Sequence, residues 1–142
     1  MITKTKLIFY AIGLFIVIAL LIFRYTQKSN DDLTFKREYA SYQFDQIIKK
    51  IDSDTSELLN QIISLDGPVK KITKDSGSIT FELGYDSLVS SVICDIDKRH
   101  LSDFEQIKQN DIIKVKGMVS AISYDPNSIF GNTLNLTFCV KN

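Results

Sequence analysis

Residues 104–122 read FEQIKQNDIIKVKGMVSAI, and the period of the apolar residues changes within them. Leu101, Phe104 and Ile107 recur every third residue, which predicts a short helix over Lys98–Lys108. Gln109-Asn110-Asp111 then turns the chain. Ile113, Val115, Val119 and Ala121 stand two or four residues apart, the spacing of a strand with one buried face. Gly117, in the middle of that strand, predicts a bulge or a bend. A helix that feeds a strand late in a small chain sets what must lie on either side.

Upstream, Ile79, Phe81 and Leu83 alternate with Thr80, Glu82 and Gly84. Asp75-Ser76-Gly77-Ser78 before them is a hairpin turn in which Gly77 is free to take a positive φ. A third strand is expected from about Leu88 to Ile96. Downstream, Asp125-Pro126-Asn127 and Gly131-Asn132 bracket a loop, and Leu134, Leu136, Phe138 and Val140 mark a last strand. The order over residues 62–142 is β-β-β-α-β-β. That is the order of the OB-fold, a five-stranded Greek-key barrel, with a helix between strands three and four as its plug. Phe81 and Phe138 fall on apolar faces and are expected in the core.

The N-terminal part has a different pattern. Residues 34–61 read as an amphipathic helical segment, because Phe44, Ile47, Ile48 and Ile51 form one helical stripe. Ser53 and Asp54 interrupt it, and Asp54 with Glu57 has capping-box spacing. Leu58, Leu59, Ile62 and Ile63 continue the apolar face. This segment is expected to pack on the barrel as a lid or stalk. Residues 24–33 are polar and read as a juxtamembrane linker. Before them, Leu7–Phe23 is LIFYAIGLFIVIALLIF, 17 residues without a charge. At 1.5 Å per residue such a run reaches the lower limit for crossing a hydrocarbon core. It predicts one N-terminal transmembrane helix behind a basic head, residues 1–6. Arg24-Tyr25-Thr26-Gln27 fits signal cleavage poorly, and the absence of a nearby cysteine excludes a lipoprotein anchor. Basic residues on the two sides nearly balance. The basic head and apolar core still read as a signal-anchor in the cytoplasmic membrane, with the C-terminal domain extracytoplasmic.

Composition excludes several function classes. Lys+Arg is 17 and Asp+Glu is 17, and residues 62–142 carry 9 basic and 10 acidic residues, not the basic excess of a dedicated nucleic-acid binder. Two cysteines and one histidine cannot build a disulfide-dense scaffold or an ordinary structural zinc site. No catalytic motif appears, so neither an enzyme nor a cofactor is expected. Asp95, Asp97, Asp103 and Glu105 lie beside Lys98 and Arg99 and read as surface ion pairing. Lys70, Lys71, Lys114 and Lys116, with Tyr85 and Tyr124, are the candidate ligand face, since this fold binds oligonucleotides or sugars on strands two and three and adjoining loops. The same lysines also read as a solvated strand face. Cys94 and Cys139 fall on strands three and five, which neighbour each other in this barrel, so a disulfide is an alternative in an oxidising compartment. Simple alternation opposes it: Cys94 shares the face of Val92 and Ile96, whereas Cys139 lies opposite the Leu134-Leu136-Phe138 face. Cys94 then reads as a buried, inert thiol.

These residues resemble a known family, the tRNA-anticodon-binding-like OB-fold proteins, small membrane-anchored bacterial proteins of the Bacteroidetes type. The resemblance is carried by ASYQFDQIIKKIDSDTSELLNQ, GPVKKITKDSGSITFELG, VSSVICDID, FEQIKQNDIIKVKGMVSAI and LNLTFCVKN. It covers about residues 40–142 together with the anchor. Asn110 departs from the glycine that often precedes the Asp, and Gly67-Pro68-Val69 from a smoother strand start. The resemblance implies the OB-fold and a tether, and it implies no activity. The expected role is a non-catalytic binding module for protein or envelope ligands at a membrane. Oligonucleotide or oligosaccharide binding is the alternative, with nucleic acid disfavoured by charge.

Overall fold

The computed structural model describes residues 13–23, 32–53, 55, 57–127 and 129–142. They belong to two units, residues 1–32 and residues 33–142. In the first, residues 13–23 are helical. The rest of the expected Leu7–Phe23 helix, the basic head and linker positions 24–31 lie outside the described residues. No helix among the described residues is long and apolar enough to cross a membrane.

The second unit runs β1 (Ala40–Gln43), α1 (Phe44–Ile51), β2 (Ile62–Asp75), β3 (Ser78–Leu83) and β4 (Ser91–Ile96). A 3-10 helix (Lys98–Phe104), β5 (Ile112–Ser123) and β6 (Thr133–Lys141) follow. The sheet order is β1-β2-β3-β4-β6-β5, and β5 returns to pair with β2. Strands β2 to β6 therefore close a barrel, with β1 added beside it. The long β2 makes closure possible: residues 62–68 pair antiparallel with β5 and residues 69–75 with β3. β4 and β6 run parallel. This is the five-stranded arrangement expected from the sequence.

The N-terminal segment differs from the expected continuous helix. Helix α1 covers only Phe44–Ile51, where the apolar stripe is complete and Phe44, Ile47 and Ile51 are buried. Upstream, Ala40–Gln43 alternates half-buried and exposed, and it pairs parallel with β2 from Ala40↔Ile63 to Gln43↔Asp66. Period two wins there because the free edge of β2 supplies hydrogen-bond partners. Gln43 N–H donates to Gln46 Oε1 at 3.0 Å and so starts the helix. Ser53 Oγ donates back to Lys50 O at 3.0 Å at its end. Asp54 of the expected capping box lies outside the described residues. The third barrel strand begins at Ser91 rather than about Leu88, and the plug is a 3-10 helix that ends at Phe104 rather than Lys108. Asp97 caps it, accepting from Arg99 N–H at 3.0 Å. Hydrogen bonds from the Arg99 side chain hold the Asp97 carboxyl below its ordinary range.

One core joins these parts. Near the start of β4, Phe44 of α1 enters over two glycines, since a Cβ at Gly67 or Gly84 would lie 3.2 or 3.3 Å from its side chain. Near the end of β4, Phe104 packs against Phe81 with ring centroids 5.5 Å apart. β6 does not keep the expected alternation. Between the pairs Lys116↔Val140 and Met118↔Thr137, β5 has one residue and β6 has two. That is a β-bulge, with Phe138 in the left-handed region at φ 54°. It turns Phe138 outward, 38% exposed, and Cys139 inward to full burial. The expectations of a core Phe138 and an outward Cys139 are both reversed by this one extra residue.

Candidate ligand-binding site

The six candidate residues of the ligand face do not converge on one surface. Lys116 is buried, and its Nζ donates to Thr34 O at 2.9 Å and Lys36 O at 3.2 Å. It belongs to a strap, residues 33–39, that crosses the outside of the barrel. Glu38 accepts hydrogen bonds from Ser64 Oγ and Asn142 Nδ2. Thr34 Oγ1 lies 3.2 Å from His100 Nε2, and Tyr39 N–H donates to Ile62 O. Lys116 is therefore a latch on the strap and no part of a ligand face. Lys116→Met keeps the apolar stem and removes the donors. The strap amides should then exchange faster, and stability should fall by about 1.5–3 kcal/mol, the range for hydrogen bonds to a charged group. Hydrogen exchange read by mass spectrometry checks both, and unchanged strap protection would contradict the latch.

Lys70 is also engaged within the fold. Its Nζ donates to Leu88 O at 3.1 Å and lies 3.5 Å from Glu82 Oε1. Lys71 is exposed, and the two lysines share a shallow hollow with Glu82 and Asp86 that leaves no cationic excess. Tyr85 is elsewhere, edge-on to Phe44 at 5.6 Å, in a hollow with Pro68 and Ile112. Lys114 is exposed opposite Asp66. Of the six, only Tyr124 lines a further concavity.

That concavity is a cleft of about 500 Å³ where α1 meets two loops, which contribute residues 88–90 and residues 124–126, 129, 131 and 132. Ile48, Leu88, Val89, Tyr124 and Ile129 supply its apolar lining, and Asp52 and Asp125 its charge. Asn132 holds the three elements together. Its Nδ2 donates to Asp52 Oδ1 at 2.5 Å, its Oδ1 accepts from Asp125 N–H at 3.1 Å, and its own N–H donates to Ser90 Oγ at 2.9 Å. Gly131, at φ 73°, lets the loops touch, since a Cβ there would lie 2.6 Å from Ser90 N. The floor is thus preorganised, while the rim is apolar and open. Ile129 is 81% exposed and Val89 58%. Sequence reasoning missed this cleft, although the turn signals at Asp125-Pro126-Asn127 and Gly131-Asn132 marked one of its loops.

Cys94 and Cys139 are both fully buried, unbridged thiols. Burial pushes the Cys139 thiol well above its ordinary value, and the neighbouring Cys94 thiol adds to the shift. Among the described residues, no group of His, Cys, Asp or Glu is arranged to hold a metal ion.

No protein-family model matches the chain, and no curated protein matches it. Solved structures do. A lipoprotein of Klebsiella pneumoniae subsp. pneumoniae MGH 78578, provisionally named as nucleic acid-binding, is similar with a TM-score of 0.55 at 12% identity. The match covers 72% of this chain and 90% of that one. Asparaginyl-tRNA synthetase from Pyrococcus horikoshii is similar with a TM-score of 0.45 at 13% identity, covering 70% of this chain and 22% of the synthetase. OBody AM3L09 bound to hen egg-white lysozyme has a TM-score of 0.45 at 13% identity, covering 61% and 85%. The strand topology and the likeness to the Klebsiella lipoprotein agree on the fold: the second unit carries an OB-fold barrel.

Proposed function

We propose that this chain is a non-catalytic binding module, tethered to the cytoplasmic membrane by Leu7–Phe23, whose OB barrel binds a polypeptide at the loop cleft. The supporting observation is the chemistry of that cleft. Apolar side chains and two carboxylates line it, and among the described residues no lysine or arginine does. A phosphate backbone needs cations at its site, whereas apolar side chains with a basic or amide group match this lining. Exposed apolar side chains clustered on two loops are also what an interaction surface presents.

A second reading is an oligonucleotide ligand. It draws on the Klebsiella lipoprotein of the same fold, whose name refers to nucleic acid. A photoreactive residue at Ile129 of the membrane-embedded chain separates the two. It should trap a polypeptide, and the same residue at exposed Lys49 should not. Salt-sensitive binding of labelled single strands, with no adduct at Ile129 above that control, would favour the second reading instead. A compartment-sensitive reporter fused after Asn142 tests the placement, with activity expected outside the cytoplasm.

A further inference from the structure

Three features of the barrel converge on the Cys139 sulfur. The first is the bulge. β6 carries Phe138, a bulky residue, in the left-handed backbone region at φ 54°. That conformation is costly for a residue with a large side chain, and it leaves a phenyl ring partly in water. Its geometric product is a Cys139 side chain turned into the core. The second is Gly117, across from the bulge on β5. A Cβ on Gly117 would lie 2.7 Å from Cys139 Sγ, so the sulfur fills the space that a side chain there would occupy. The third is Cys94, on β4. That strand flanks β6 on the other side, its Cys94 opposite Leu136 and its Ile96 opposite Cys139. The Cys94 thiol is fully buried beside the Cys139 thiol. Two buried thiols are thus held side by side on neighbouring parallel strands.

We propose that Cys94 and Cys139 are a modification site, the two ends of a disulfide that staples β4 to β6 when the chain folds in an oxidising compartment. The oxidant is a disulfide of the glutathione or thiol–disulfide oxidoreductase class. One cysteine thiolate attacks that disulfide and releases one thiol. The second cysteine then displaces the other. Both protein S–H bonds are lost, one S–S bond forms, and the oxidant leaves as two thiols. Because neither sulfur reaches solvent in the folded barrel, exchange belongs to the folding chain or to a state in which β6 has opened. The irregular stretch at Phe138 is the part of β6 that adjusts to bring the sulfurs to bonding distance.

The test is refolding of the full chain in detergent, in a buffer of oxidised and reduced glutathione and separately in excess reductant. Free thiols are then trapped with a maleimide in denaturant and the mass is read. Oxidative refolding should give a monomer lighter by two hydrogens that takes up no maleimide. Reductive refolding should give two labels. The folded reduced protein should oxidise far more slowly than the unfolded chain. Two labels after oxidative refolding, or a stable mixed disulfide with glutathione in place of the internal bond, would overturn the cross-link. The site of formation in the cell rests on the extracytoplasmic placement proposed above, and the two can fail separately. A chain that cross-links in glutathione buffer keeps the proposal, and two free thiols on the same chain drawn from cells then remove the placement alone.

Discussion

Ile47→Asp should unfold the barrel domain. Ile47 is fully buried on α1 and belongs to the barrel core together with Phe44 and Ile51. Truncating such a side chain to Ala already costs about 2–5 kcal/mol, from lost burial and the cavity left behind. Asp adds the cost of an unpaired polar or charged group in an apolar site, several kcal/mol more. The sum reaches the whole stability of an ordinary domain, about 5–15 kcal/mol. Ile51→Asp, 1% exposed one turn further on, should behave the same way. Lys49→Ala, exposed on the same helix, should melt close to the parent. Circular dichroism melts of the three variants decide it. An unchanged transition for Ile47→Asp would mean that α1 is a detachable lid and no part of the core.

What the sequence made legible, and what it did not, follows from how far each signal reaches. The five barrel strands, their order and the plug between the third and fourth come from local periodicity, which the pleat and the helix impose directly on the residues. The stripe Phe44, Ile47, Ile51 was read correctly as a buried helix face, but its extent was not. Ala40–Gln43 becomes a strand only because the edge of β2 lies beside it, a tertiary fact with no local signature. Lys116 sits at an alternating position that looks solvated. Its burial comes from the strap, whose backbone carbonyls offer the acceptors that a buried ammonium requires. The cleft is assembled by Asn132 from three segments more than forty residues apart at their extremes, and no spacing in the chain announces such a junction. Its apolar rim stands in plain letters at Leu88, Val89 and Ile129, yet exposure is what makes those letters informative.

Gly117→Ala should cost about 1–3 kcal/mol, the usual penalty for overfilling a packed core. The clash is specific. The new Cβ would meet Cys139 Sγ at 2.7 Å and Leu136 Cβ at 3.0 Å, with Thr137 O at 3.5 Å. The first two are side-chain atoms of buried residues on a strand held on both sides, so neither can withdraw without moving β6. Removing the sulfur should relieve the worse contact and leave the Leu136 contact in place. With reductant present throughout, Cys139→Ala should therefore destabilise the parent barrel but cost less, or even stabilise, in the Gly117→Ala background. The coupling in the double-mutant cycle should fall within about 0.5–3 kcal/mol, the range for residues in direct contact. Urea melts of the four proteins measure it. Strict additivity would show that Gly117 is small for a reason other than this sulfur, and the inward turn of Cys139 at the Phe138 bulge would lose its steric rationale. A coupling of the expected sign ties two sequence-distant strands into one device: a glycine on β5 that makes room, and a cysteine, turned inward at Phe138 on β6, that fills the space.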